Sequence, residues 1–409
     1  MELDPPIGER IAFYRRRRGL SQEVCAGLVG RTENWLSQIE RGVRPLDRLP
    51  VLVELARVLR VNLMDLIGNP MPAEPEPPKA SLVSSLRAVL MRYETIERAL
   101  APVAAQPPDT GDLNRLRHEV AEVNGLYQQT RYAMVGELLA GLIVEARHAT
   151  RNLRDADQRR AYGLLAEVYH VTAKTLSRVD EPGLAWIVAE RSIDAAAHAE
   201  TPLLMAASAY HLGHALLRGG HSAEAASIVT RAAESLEQRT DQHGPEPLSA
   251  IGGLYLTAAM ATASNREGAA VYRFLRQADQ IADKLGEDRN DLWLAFGRAN
   301  VEIHRVAAAG ELGDPTEAIR RGEAIDLSRL PPQLIGRRSQ AMIELARAYT
   351  QRRMDTKAVD VLLMAEHMAP EALRFNTTAH ATIRQLLGRP RRTPPPALQR
   401  LADRIELLN

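Results

Sequence analysis

Cysteine occurs once in 409 residues, at Cys25, which excludes an intramolecular disulfide and a cysteine-built zinc module. A lone cysteine among apolar neighbours is expected to be a small core residue rather than a redox sensor. Aromatic residues make up only 4% of the chain while apolar residues reach 45%, which leaves alanine and leucine to build the core. Such side chains favour close-packed helices over a sheet, so an all-α protein is expected. The shortage of aromatics also counts against a platform for stacking single-stranded bases. No apolar run approaches the ~18 residues of a membrane-spanning helix, and the N-terminus is too acidic and polar for a signal peptide. A cytoplasmic protein with no membrane contact is expected. Lysine is scarce too: Lys79, Lys174, Lys284 and Lys357 are the lysines among 52 basic residues, and this Arg- and Ala-rich usage points to a GC-rich bacterial genome.

Catalytic and metal signatures are also missing. The histidines are dispersed, and His211 and His214, although at i, i+3, lack further ligands nearby, so no metal and no cofactor is expected. GLVG and ALLRGGH are too short for phosphate loops, and no nucleophile elbow or Walker pattern occurs. The expectation is a protein that is not an enzyme.

What is present begins near the N-terminus. The formal net charge is +1, yet nine arginines lie between Arg10 and Arg48 against Glu23, Glu33, Glu40 and Asp47. A basic patch confined to one small segment is the footprint of a DNA-binding domain. From Leu20 to Gly42 the sequence reads LSQEVCAGLVGRTENWLSQIERG. Ser21 is placed to cap one short helix with Val24, Cys25 and Leu28 as its apolar face. Gly30 breaks it, and Thr32 caps a second helix whose Leu36 and Ile39 point inward. Glu33, Asn34, Trp35, Ser37 and Gln38 are left outside, a set suited to base edges in a major groove. Asn34 and Gln38 suit adenine, Glu33 can accept from cytosine or simply favour the helix dipole, and Trp35 can pack on sugar or a thymine methyl. Gln22, Arg31 and Thr32 are placed to hold phosphate, and Arg15, Arg16 and Arg44 are expected to meet the backbone. Glu40 and Arg41 are expected to pair within the domain.

Over about Ile7 to Ile67 the chain resembles the repressor-like (Cro-like, XRE) helix-turn-helix family. Leu20-Ser21-Gln22-Glu23, Ala26, Gly30, Ser37 and Ile39-Glu40-Arg41-Gly42 carry the resemblance. It implies five helices: about Ile7 to Arg18, the two of the motif, about Asp47 to Leu59, and Leu63 to Ile67 behind an Asn62 cap. Cys25 and Trp35 depart from the family pattern, so base preference does not transfer. The expected domains are 1–68 for DNA binding, 69–80 as a proline-rich linker and 81–409 as a helical repeat domain for sensing and dimerisation. The segment NPMPAEPEPP from Asn69 to Pro78 reads as a semi-stiff extended spacer. An amphipathic helix follows from about Ser81 to Leu100, with Leu82, Leu86, Leu90, Tyr93, Ile96 and Leu100 on one stripe, either packing on the second domain or contacting a dimer partner.

A repeat then emerges. Leu212-Gly213, Leu216, Gly220, Ala225, Val229 and Ala232 recur as Leu345-Ala346, Tyr349, Ala358, Leu362, Ala365 and Pro370, with weaker copies centred on Val135, Ala185, Ala270 and Ala318. This resembles a tetratricopeptide (TPR) array, an α-solenoid, closed by a capping helix from Ala397 to Leu408. The resemblance implies a concave groove lined by the first helix of each pair. Repeat mapping places Asn124, Tyr127, Glu167, His170, Lys174, Tyr210, His214, Tyr255, Asn300, Gln340 and Arg347 there. The combined architecture resembles actinobacterial helix-turn-helix/TPR regulators and the peptide-sensing quorum regulators of Gram-positive bacteria. It implies a homodimeric transcription regulator that binds double-stranded DNA at an inverted repeat and takes a peptide or small-molecule effector. The alternative is a TPR scaffold that recruits a partner protein to DNA.

Overall fold

The computed structural model describes residues 6–44, 46, 49–59, 61, 66, 78–91, 112–239, 244–389 and 395–407. The described residues are helical with no strand; one isolated bridge joins Arg289 and Phe296. Contacts divide the chain into two units, Met1–Glu76 and Pro77–Asn409.

In the first unit α1 (Ile7–Arg17), α2 (Gln22–Leu28), α3 (Glu33–Glu40) and α4 (Leu49–Leu59) surround Ile11, Cys25, Ala26, Leu36, Ile39, Leu55 and Leu59, all nearly or fully buried. The caps are those the sequence announces. Ser21 Oγ accepts from the Val24 N–H at 3.1 Å, and Thr32 Oγ1 accepts from the Trp35 N–H at 3.3 Å. Gly30 sits at φ +66, where a side chain would be strained, and the Arg31 N–H returns to the Ala26 carbonyl at 2.9 Å. One expectation fails here: Val24 and Leu28 are 50% and 56% exposed. The inward face of α2 is Cys25 and Ala26, which pack in the core with Leu36 and Ile39 of α3. The expected helix over residues 63–67, apart from the fully buried Leu66, and residues 69–77 of the expected linker over 69–80 lie outside the described residues; residues 78–80 are helical instead and open the first helix of the second unit.

Among the described residues the second unit opens with α5 (Pro78–Leu90), followed by six helix hairpins. These are α6 (Leu113–Gln128) with α7 (Tyr132–Asn152), α8 (Asp155–Arg178) with α9 (Pro182–His198), and α10 (Pro202–Arg218) with α11 (Ser222–Arg239). The later three are α12 (Pro245–Ser264) with α13 (Gly268–Leu285), α14 (Arg298–Glu311) with α15 (Pro315–Ala324), and α16 (Ile335–Gln351) with α17 (Asp355–Met368). Three short helices, α18 (Pro370–Arg374), α19 (Thr377–Leu387) and α20 (Pro396–Arg404), end the unit. The last of these buries Leu398, Leu401 and Ala402 on the core of the sixth hairpin, as a cap should.

All six hairpins share one turn. A residue with positive φ (Thr130, Asp180, Gly220, Arg266, Gly313 or Arg353) ends the first helix. The next N–H reaches back five residues to a carbonyl of the first helix at 2.9–3.0 Å, as with Arg131 to Leu126 and Met354 to Tyr349. Five residues after each positive-φ position stands a side chain with no exposure: Val135, Ala185, Ala225, Val271, Ala318 and Ala358. The repeat centres are therefore those read from the sequence, save in the fourth hairpin. There Val271 is buried and Ala270 is only partly so, because the turn falls on Arg266 and fixes the register.

The stripe Leu82, Leu86 and Leu90 of α5 is buried against α7 and α9; Leu82 fits where Gly136 lacks a side chain, and Arg191 donates to the Leu90 carbonyl at 2.9 Å. The packing role of this helix holds for these three residues, which are not free for a dimer contact. Tyr93, Ile96 and Leu100 lie outside the described residues.

A feature with no signature in the repeat pattern is the irregular segment 286–297 between α13 and α14. It inserts Phe296 against Gly252 of α12, where a Cβ would lie 2.0 Å from the ring. The solenoid also returns upon itself. Gly336 at the start of α16 meets Thr130 after α6, and the Ala133 N–H donates to Glu371 of α18 at 2.9 Å. Tyr132 packs with Ala369 and Ala372, while Gln128 donates to the Trp293 carbonyl at 3.1 Å. The first hairpin thus touches the fourth connection and the sixth hairpin, and the expected open groove becomes a cavity.

Candidate functional site

On the first unit, α3 turns Leu36 and Ile39 inward and leaves Glu33 and Asn34 exposed, with Trp35, Ser37 and Gln38 half-buried. Thr32, Arg31, Arg16 and Arg44 are exposed beside them in sequence, and the Arg31 guanidinium lies over the Trp35 ring at 5.8 Å. Arg15 is different. Its Nε and Nη2 donate to the two Glu40 carboxylate oxygens at 2.6 and 2.9 Å, and its Nη1 donates to the Leu20 carbonyl at 2.8 Å. The side chains are only 12% and 6% exposed, and the pair holds the Arg15 guanidinium above its ordinary pKa. Arg15 therefore pins α1 to α3 and is withdrawn from the set of phosphate contacts. Gln22 also donates to Glu40, at 2.7 Å, so its side chain braces the α2–α3 corner and its place at a phosphate rests on the first turn of α2. Glu40 pairs within the domain as expected. Arg41 instead donates to the Ser37 carbonyl.

The cavity of the second unit has a volume of about 250 Å³. Of the residues mapped to the groove, Tyr127, Lys174, Tyr210, His214 and Gln340 line it. Three more stand directly behind. Asn124 accepts from Lys174 Nζ at 2.7 Å, the His170 ring packs tilted by 30° on His211 with centroids 4.7 Å apart, and Glu167 is linked to Lys174 by charge. Three do not join it. Tyr255 turns away to donate to Glu237 at 2.9 Å and stacks near Phe274, within the packing of α11, α12 and α13. Arg347 is taken by Glu344, Glu311 and the Ala307 carbonyl between α14 and α16. Asn300 is buried behind His304, which bonds to its carbonyl at 2.8 Å. These three fall on the expected helices, but the superhelical rotation between hairpins points them elsewhere.

The lining also holds Tyr132, Arg178, His211, Arg218, Trp293, His304, Arg337 and Glu344, which the repeat pattern does not place there. A helical signal existed for some: Arg178 is one turn beyond Lys174, and Arg218 one turn beyond His214. None existed for Trp293, which arrives from the irregular segment.

Burial dominates the electrostatics. It pushes Lys174 down to about 7, assisted by nearby Arg337, although Nζ keeps its bond to Asn124 and lies 4.4 Å from the Tyr127 ring centre. Desolvation lowers His170 to about 3, His214 to about 3 and His304 to about 4, and takes His211 well below the ordinary range. These four rings are neutral at pH 7. Burial also raises the Glu167 and Glu344 carboxyls. Among the described residues no group of three or more His, Cys, Asp and Glu is arranged to hold a metal, and no helix is long and apolar enough to cross a membrane.

Residues 6–65 match the family of the helix-turn-helix domain. With the six shared turns of the second unit, the architecture is an N-terminal helix-turn-helix domain and a TPR-like helical array. No curated protein matches the chain by sequence. Among solved structures it is similar to Bacillus thuringiensis PlcR in complex with the peptide PapR7 and DNA, at 13% identity and TM-score 0.34, covering 89% of this chain and 99% of that one. It is also similar to aspartyl phosphate phosphatase F from Bacillus subtilis, at 13% identity and TM-score 0.44, covering 93% and 97%. A third likeness is to a Rap protein complexed with competence and sporulation factor, at 13% identity and TM-score 0.40, covering 90% and 100%.

Proposed function

We propose that this chain is a sequence-specific transcription regulator. Residues 1–68 read double-stranded DNA through α3, 69–77 form a linker, and 78–409, from the start of α5, sense a peptide or small-molecule effector and hold a homodimer. The observation that carries the reading is the outer face of α3. Its two fully inward residues, Leu36 and Ile39, anchor a short helix behind the Gly30 corner, and Asn34 stands exposed with Gln38 one turn on. This is the arrangement that presents amides to base edges. Glu33, Trp35 and Ser37 flank them, while Gln22 and Arg31, Thr32, Arg16 and Arg44 supply backbone contacts. A twofold dimer would set two such helices one turn of DNA, ~34 Å, apart on an inverted repeat. The reading assigns a cytoplasmic location, no enzymatic activity, no cofactor and no metal. A scaffold would share the helix-turn-helix domain, but the polar lining of the cavity favours a sensor.

The test compares the full chain with Asn34→Ala and Gln38→Ala on a selected site and on random duplex. Loss of a base contact costs ~1–3 kcal/mol on the site and little on random DNA. Replacing Arg16 and Arg44 should weaken both duplexes and flatten the log K against log salt slope by ~0.9 per contact. Equal losses on both duplexes for the amide variants would remove the base-reading role.

A further inference from the structure

We infer that the cavity of the second unit takes a small organic anion, a molecule with a carboxylate on a planar or apolar body. This deepens the reading of that cavity as the effector site and rests on it. Lys174, Arg178, Arg218 and Arg337 converge on the cavity from α8, α10 and α16, and among the described residues none of them is in an ion pair. Arg337 donates to the Tyr210 hydroxyl at 3.1 Å and Arg218 to Thr377 at 2.9 Å, which are neutral partners. Glu344 is the carboxylate of the lining, and it is held by Arg347 at 3.0 Å and Gln340 at 2.8 Å. Glu167 faces Lys174 and Glu344 stands in the lining, yet the four cations outnumber these two carboxylates, and an anion among them lowers the cost of gathering like charge. A second observation points the same way. His211 and Arg178 line the cavity, His211 at 3% exposure, and neither His211 Nε2 nor Arg178 Nε, both buried, has a hydrogen-bond partner. Buried polar atoms left open are places where a ligand atom belongs.

Tyr127, Tyr132, Tyr210 and Trp293 supply flat walls for the body of such a molecule. Size sets the other limit. At about 250 Å³ the cavity falls below the ~300–1,000 Å³ of drug-sized sites, and the contact of α16 with the first hairpin obstructs the path of a threaded peptide. It suits a small acid or the carboxylate end of a short peptide.

The experiment is a thermal-shift panel on the full chain at pH 7 with benzoate, salicylate, succinate and a tetrapeptide with a free C-terminus, each at 10 mM. Benzamide and the amidated tetrapeptide are the uncharged counterparts. A millimolar site raises Tm by ~2–4 °C for at least one acid and not for its amide. The shift should vanish in Lys174→Met and in Arg337→Gln, with the unliganded Tm checked to show that both variants fold. The free acids against the free tetrapeptide tell a metabolite from a peptide end. No shift from any acid, or the same shift in both variants, overturns the anion assignment. Shifts by benzamide that are lost in Tyr210→Ala would overturn it while keeping the cavity as an effector site. Shifts indifferent to every cavity variant would remove the effector reading as well.

Discussion

Lowering the pH from 7.5 to 5.5 should destabilise the second unit by roughly 3–5 kcal/mol, far more than ordinary surface titration does. His170, His211, His214 and His304 have folded-state pKa values depressed by burial, to about 3 for His170 and His214 and about 4 for His304. In the unfolded chain each titrates near ~6.5. The unfolded state therefore binds more protons across the window between those values, and stability falls as pH drops through it. One unit below 6.5, each ring contributes about 1.4 kcal/mol of loss. Glu167 and Glu344, with raised pKa values, act in the opposite sense and offset part of the sum. Lys174 acts higher, adding stability as pH rises above about 7. Urea unfolding of the full chain at the two pH values, followed at the buried tyrosines, measures the difference. His214→Gln should reduce the slope by about a quarter. A midpoint that does not move between pH 7.5 and 5.5 would show that the rings are solvated.

Arg15→Ala should cost the first unit ~3–5 kcal/mol, because it leaves the Glu40 carboxylate buried without its bidentate partner. Hydrogen exchange resolves this by unit. Amides in α1 to α3 should exchange about two to four orders of magnitude faster, with α6 to α19 unchanged. Arg16→Ala, from an exposed neighbour, serves as the control. Unchanged exchange in Arg15→Ala, with a flatter salt dependence of DNA binding, would return Arg15 to the phosphate contacts.

Local sequence specifies some of these features, and only the fold assembles the others. Helix caps and breaks are local, so Ser21, Gly30, Thr32, Leu36 and Ile39 could be placed from residue type and spacing. The Arg15–Glu40 pair spans 25 residues and joins two helices whose crossing no local pattern encodes. The six turns were legible through small residues at fixed offsets. In the fourth, Ala270 and Val271 are both apolar, and the positive φ of Arg266 decides between them. The cavity was half legible. Tyr210 and His214 follow from one face of α10, but Trp293 and Arg337 reach it only because the array closes on its first hairpin. Tyr255 and Arg347 lie on the expected helices and face other ones, since the rotation from hairpin to hairpin is a property of packing.

The central claim is that the chain reads a DNA sequence. Its most direct test is selection from a random double-stranded library with the purified full chain at physiological salt, beside the Asn34→Ala, Gln38→Ala double variant. The account predicts a motif with two inverted halves about one helical turn apart for the native chain, and loss of that enrichment in the variant at unchanged Tm. Recovery of unenriched DNA by the native chain, or the same motif with both proteins, would contradict it.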